Sequence, residues 1–153
     1  MDRIEKAEGL FKEGYNCAQA VLIAFSDVTG LEKDFAARLS SPFGGGMGRM
    51  REVCGAVSGM FMVLGAVEGY DDPADQGAKK QVYATVQKLA AAFREENGSI
   101  ICSELLGVQK NGDDPSPDFR TKEFYGKRPC VELVKSAAGI VERYLEGNAR
   151  HAD

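Results

Sequence analysis

Cys54-Gly55-Ala56-Val57-Ser58-Gly59-Met60-Phe61-Met62-Val63-Leu64-Gly65-Ala66-Val67 is the longest apolar stretch of the chain, broken only by glycines and one serine. Its residues are apolar on most faces of a helix, and a helix of that kind belongs in the middle of a protein. At 14 residues the stretch is too short to cross a bilayer, which takes ~20 residues. Extended back to Arg51 and forward to Glu68, it is predicted to be a buried central helix. Gly55 and Gly59 lie four apart, hence on one face. A neighbouring helix can approach closely there, and that approach would hold Cys54 in register.

The remaining segments read as helices built around this one. Residues 2–13 place Ile4, Ala7, Leu10 and Phe11 on one side, with Glu and Lys on the other. Gly14 breaks that pattern, and a second helix starts near Asn16 with Cys17, Ala18, Val21, Leu22 and Phe25 inward, ending by Gly30. A short helix over 31–40 is stopped by Pro42. The glycine-dense loop Gly44-Gly45-Gly46-Met47-Gly48 follows it. Beyond the central helix, 75–97 is amphipathic, with Val82, Val86, Leu89, Ala90 and Phe93 inward. Ser99 reads as the N-cap of a short helix over 100–106. Residues 107–127, with Asn111-Gly112 and two prolines, read as irregular with one short helical turn. The last helix, 128–146, turns Cys130, Leu133, Val134, Ala137, Ala138, Val141 and Leu145 inward. No period-2 strand and no internal repeat is evident. The expected fold is all-α, a compact single domain over 1–153, with five or six helices around the Gly-containing central one.

Composition narrows the function classes. The 153 residues hold 19 Lys+Arg and 23 Asp+Glu, a formal net charge of −4. With no basic stripe, nucleic acid is not an expected partner. No segment reads as a membrane span, and Met1-Asp2-Arg3-Ile4-Glu5-Lys6 forms no apolar leader. A cytoplasmic setting with reduced cysteines is therefore expected. The single histidine, His151, lies near the C-terminus, so neither a Ser-His-Asp nor a Cys-His catalytic set can be assembled from it. Asp71-Asp72, Asp113-Asp114 and Asp118 lack the calcium-loop pattern and read as solvated loop acids.

The four cysteines share a placement. Cys17 follows Asn16, Cys54 follows the glycine loop, Cys102 lies three after Ser99, and Cys130 follows Pro129. Each falls in the first turn of an expected helix and on its apolar face. Helix N-termini favour thiolate over thiol. Arg49 and Arg51 precede Cys54, and Lys127 and Arg128 precede Cys130, so Cys54 at least is expected to ionise below an ordinary thiol. The alternative is that these cysteines are small core residues. Spacings of 37, 48 and 28 residues contain no CxxC pair and no zinc-finger pattern. Four isolated thiols gathered by the fold still match a four-cysteine site for an iron–sulfur cluster or zinc, or one or two switchable disulfides.

Tyr15-Asn16-Cys17-Ala18-Gln19-Ala20-Val21, the Gly44–Gly48 loop, Cys54-Gly55-Ala56-Val57-Ser58-Gly59, and the lone Cys102 and Cys130 together resemble a redox-active family named for its C…CGAxxG…C…C pattern. The resemblance spans nearly the whole chain. It implies a small protein of redox role, often encoded near transport genes, and so a redox or transport-associated protein partner.

Cys17, Cys54, Cys102 and Cys130 are the candidate catalytic residues and, equally, the candidate metal ligands. The glycine loop matches no phosphate-binding fingerprint. Its expected use is to let backbone pass close to the sulfurs or donate N–H groups to a cluster. Gly45, Gly46, Gly48 and Gly55 are thus the candidate cofactor-contacting positions. The leading expectation is an oxidoreductase-like or electron-transfer protein with one converged four-cysteine site, an iron–sulfur cluster being favoured over zinc or no metal. A non-catalytic partner-binding module and a structural zinc protein with four cysteine ligands are the alternatives. Homo-oligomerisation is left open.

Overall fold

The central helix forms, but it starts at Gly55 rather than Arg51. The structure, a computed structural model, describes residues 2–110 and 114–151, with side chains through residue 148. In chain order its elements are α1 (Arg3–Lys12), α2 (Cys17–Ala24), α3 (Ser26–Thr29), α4 (Lys33–Ser40), a 3-10 turn (Ser41–Phe43), α5 (Gly44–Met47), α6 (Gly55–Glu68), α7 (Gln76–Asn97), α8 (Cys102–Leu106), α9 (Lys122–Lys127) and α10 (Cys130–His151). The fold is all-α, with six helices of eight residues or more among the described residues. The readings at Asn111-Gly112 and Asp113, and the side chain of His151, lie outside the described residues.

Local signals account for most helix ends. Asn16 accepts from the Gln19 N–H while the Gln19 side chain accepts from the Asn16 N–H, a reciprocal cap that fixes the first turn of α2. Asp2, Asp75 and Thr121 cap α1, α7 and α9 in the same sense, each worth about 1 kcal/mol. Gly30 and Gly98 end α3 and α7 in the left-handed conformation that an L side chain resists. Ser99 does not cap α8. Its hydroxyl accepts from the Ile101 N–H, and Ile101 occupies the cap position.

α6 begins late because residues 51–54 do something else. Arg51 has a φ of 62° and cannot continue a right-handed helix. Val53 pairs with Ile101 in an antiparallel bridge, the Cys54 N–H donates to the Ile100 carbonyl (2.8 Å), and the Cys102 N–H to the Glu52 carbonyl (2.6 Å). This short ladder ties the start of α6 to the start of α8. The burial of α6 is likewise partial. Gly55 to Met60, Val63 and Leu64 are buried, whereas Gly65, Ala66 and Val67 reach solvent.

The core lies where α2 meets α6, α1 and α10. Phe11, Leu22, Ile23, Phe25, Val57, Met60, Phe93 and Val134 are fully enclosed there. Each such side chain contributes about 1.5–3 kcal/mol of burial. Contact between α2 and α6 is closest at the two glycines. A Cβ on Gly59 would lie 2.8 Å from the Ala18 carbonyl oxygen and 3.0 Å from Val21 Cβ. One on Gly55 would lie 3.0 Å from the Phe43 carbonyl oxygen and 3.1 Å from Cys17 Cβ.

Alanine at Gly59 would relieve a helix-interior glycine, a gain of up to ~1 kcal/mol. Because the obstructing atoms include backbone, overpacking should outweigh that gain, for a destabilisation of about 1–3 kcal/mol. Urea unfolding of Gly59→Ala measures the difference. A variant as stable as the parent or more so would show that the two helices can part without loss.

Candidate functional site

Each cysteine occupies the start of a helix, as its sequence context suggests. Cys17, Cys102 and Cys130 are the first residues of α2, α8 and α10, and Cys54 is the residue that caps α6. The bundle brings these four helix starts to one end. All four cysteines line a single cavity of about 400 Å³, and all four are free thiols. Cys54, Cys102 and Cys130 are buried, and Cys17 is partly exposed.

Gly45, Gly46, Gly48 and Gly55 also line this cavity. Residues 45–49 all have positive φ, from 61° to 71°, so the chain makes a left-handed turn. Two of them, Met47 and Arg49, are not glycine, and neither is Arg51 just beyond; each costs about 1–2 kcal/mol in that conformation. At Gly46 no side chain fits, since a Cβ would lie 2.6 Å from Cys102 Cβ and 2.8 Å from Arg51 Cα. The Glu52 N–H closes the turn on the Gly46 carbonyl (2.9 Å). The turn sends both Arg49 and Arg51 to the cavity wall.

The wall is strongly cationic in a chain of net negative charge. Arg49, Arg51, Arg120 and Arg128 line it, and Asp118 is the one lining carboxylate among the described residues. Asp118 Oδ2 receives Arg49 Nη1 at 2.9 Å and Arg128 Nη2 at 3.0 Å, with Arg51 Nη2 at 3.9 Å. Arg51, only 7% exposed, also donates through Nη1 to Cys102 Sγ at 3.7 Å. Arg120 lies over the rings of Phe11 and Phe124 and donates to the carbonyls of Phe11 (2.7 Å) and Tyr15 (2.9 Å). It thereby pins the irregular segment before α9 to the junction of α1 and α2.

These contacts correct two sequence readings. Asp118, expected to be a solvated loop acid, is clamped by arginines. Lys127 pairs with Glu123 on the exposed side of α9 and does not line the cavity. Arg120 is a further residue of the site, one that the sequence marks only weakly. Its position beside Phe119 and near Phe124 and Tyr125 is a weak hint of an aromatic-seated guanidinium.

The thiols differ sharply despite their shared placement. Cys130 and Cys17 line the same cavity, and their ionisations are linked. The Cys17 S–H favours the Cys130 thiolate, and the cations of Arg128, Arg120 and Arg51 add to this against the cost of burial, lowering Cys130 to about 7. Cys17 keeps its proton to well above the ordinary thiol value, through Cys130 and then burial. Burial pushes Cys54 up to about 12. The Ala56 and Val57 N–H groups oppose that shift without making a cap hydrogen bond. Cys102 is also raised by burial, against the pull of Arg51. The expectation that Cys54 ionises easily is therefore overturned, because its desolvation exceeds what the helix start returns.

Among the described residues, no three Cys, His, Asp or Glu side chains are grouped closely enough to hold one metal ion. The four thiols share a cavity without forming a ready four-thiolate cage. No described helix is long and apolar enough to cross a membrane.

Fold and site together define an all-α thiol protein whose four cysteines open onto one arginine-lined cavity. A family model described as "Putative redox-active protein (C_GCAxxG_C_C)" matches residues 15–144, a span that contains all four cysteines and the glycine turn; its pattern is written G-C-A where this chain has Cys54-Gly55-Ala56, which corrects the CGAxxG form expected from the sequence. The chain belongs to that family. No curated protein and no solved structure matched it.

Thiolate is the form that alkylates, and its fraction rises as pH climbs through the pKa. Iodoacetamide should label Cys130 first, with a rate that climbs through about pH 7, while Cys54 stays unlabelled far into the alkaline range. Peptide mapping across pH reads both. Cys54 labelling ahead of Cys130 would contradict this ordering.

Proposed function

We propose that the protein carries out thiol–disulfide redox chemistry with Cys130 as the nucleophile and Cys17 as the resolving thiol. The observation that carries this reading is the placement of both thiols on one arginine-lined cavity, where their ionisations are linked. One thiol is eased towards thiolate while its neighbour retains a proton, and that asymmetry suits sequential attack.

The reaction balances with a disulfide substrate as the oxidant. The Cys130 thiolate attacks one substrate sulfur, the substrate S–S bond breaks, and one substrate thiolate leaves. The Cys17 sulfur, losing its proton, then attacks the Cys130 sulfur of the mixed disulfide and expels the second substrate thiolate. A Cys17–Cys130 disulfide forms, the substrate gains two electrons, and the Cys17 proton passes to one released thiolate while the other carries away the negative charge that Cys130 brought. Cys54 and Cys102, with raised pKa values, form the wall of the site.

Cys17→Ser should trap the mixed disulfide on Cys130, whereas the parent chain should proceed to the internal disulfide. Cys130→Ser should do neither. Mass spectrometry after brief exposure to a small disulfide separates the three. Loss of the internal disulfide in Cys54→Ser or Cys102→Ser, with Cys130→Ser unaffected, would overturn the assignment.

Convergence of all four thiols on one cavity supports a second reading, an iron–sulfur or zinc centre. It requires the thiols to close further on the ion than they stand here. Metal and sulfide analysis after anaerobic purification tests it. Stoichiometric iron with sulfide, or zinc, bound through all four cysteines would replace the dithiol reading.

A further inference from the structure

The cavity carries a feature that thiol exchange alone does not use. Three guanidiniums, from Arg49, Arg51 and Arg128, converge on one oxygen of Asp118. Arg51 is almost wholly buried, so it is held at the site rather than sampling solvent. Elsewhere among the described residues, an arginine that meets a carboxylate has it unshared with other arginines, as Arg3 does with Asp27 and Glu142 and Arg143 with Glu96. Here the ratio is reversed. Asp114, whose carbonyl also receives Arg49, lies outside the cavity lining. The lining is left with an excess of positive charge in a space of about 400 Å³, a volume that suits a small molecule rather than a protein loop.

Asp118 arrives on a segment without regular structure, between Pro117 and Phe119. Its carboxylate sits where an incoming anion would meet the same three donors, in a geometry suited to carboxylate recognition. From this arrangement we infer that the cavity recognises a carboxylate-bearing small disulfide, and that Asp118 is an internal stand-in for the substrate carboxylate. The inference rests on the Cys130–Cys17 reading for the reacting bond, and on the arginines alone for the anion. A substrate carboxylate that displaces Asp118 places the rest of a small molecule in the space the cysteines line.

Three disulfides of similar size and different charge test the choice. They are dithiodipropionate, a dianion; bis(hydroxyethyl) disulfide, neutral; and cystamine, a dication. Rates of oxidation of the full reduced chain are each divided by the rate with dithiothreitol, which cancels intrinsic reactivity. The dianion should exceed the neutral disulfide by about tenfold or more, as focusing by a charged cleft provides, and the dication should be slowest. Arg128→Gln should shrink the dianion-to-neutral ratio, a quantity from which any general loss of Cys130 reactivity divides out.

Adipate, a diacid with no disulfide, separates the two readings. Its binding is followed by calorimetry on the parent chain and on Asp118→Asn. Adipate should bind, and bind more tightly once the Asp118 charge is gone. If adipate binds but no disulfide reacts at Cys130, the redox reading fails and the anion site stands. If neutral and anionic disulfides react alike and adipate binds neither form, the anion site is overturned while the dithiol stands. Should Asp118→Asn fail to fold, the charge series and adipate binding on the parent chain decide the matter.

Discussion

The approach of α6 to α2 at Gly55 and Gly59 determines where the sulfurs sit. Both helices begin at a cysteine, and the contact at Gly55 is against Cys17 itself. A side chain at either glycine would drive the helices apart and separate Cys54 from Cys17. The effect would spread, because residues 51–54 carry the start of α8 with them through the Val53–Ile101 bridge and its flanking hydrogen bonds. α10, which begins at Cys130, packs on both α2 and α6. Four cysteines far apart in sequence thus meet through one backbone-to-backbone contact and the elements fastened to it.

Equal placement does not give equal chemistry. A helix N-terminus typically supplies 0.3–1 kcal/mol to a nearby anion, about half a pKa unit. Burial can move a thiol by several units the other way. Cys54 has adjacent N–H groups at the start of α6, yet burial dominates and it stays protonated. Cys130 is also buried, but the Cys17 thiol and three guanidiniums favour its thiolate. What distinguishes the two is the company each sulfur keeps. That company is supplied in part by a left-handed turn that costs the fold strain at Met47, Arg49 and Arg51.

The legible part of this structure was local, and the illegible part was long-range. Helical periodicity, the Asn16 start of α2 and the glycine end of α7 at Gly98 depend on neighbours in sequence, so they are read directly; Gly30, expected to end the second helix, ends the short α3 instead, since α2 stops at Ala24. The cysteines' position at helix starts followed from the same signals. The late start of α6 could not be read, because it depends on Ile100 and Ile101, nearly fifty residues away. Arg120 and Asp118 were illegible for the same reason. Nothing adjacent to Asp118 in the chain announces that residues 49, 51 and 128 will meet it. The ionisation of Cys54 is not legible because sequence shows the favourable helix start and hides the depth of burial that opposes it.

Charge at the site makes the segment around Asp118 and the reactivity of Cys130 parts of one balance. The segment has no helical hydrogen bonds of its own, so it is held by the guanidiniums of Arg49, Arg128 and Arg120. Two of those, Arg120 and Arg128, also favour the Cys130 thiolate. A carboxylate near them partly cancels the field that the sulfur feels, while the excess of cations over Asp118 keeps the net field positive. Any anion that takes the place of Asp118 would leave that field nearly unchanged. Loss of Asp118 without a replacement would strengthen the field and release the segment together. The arrangement therefore ties the position of residues 114–121 to the electrostatics of the thiol pair, through the same arginines that form the wall.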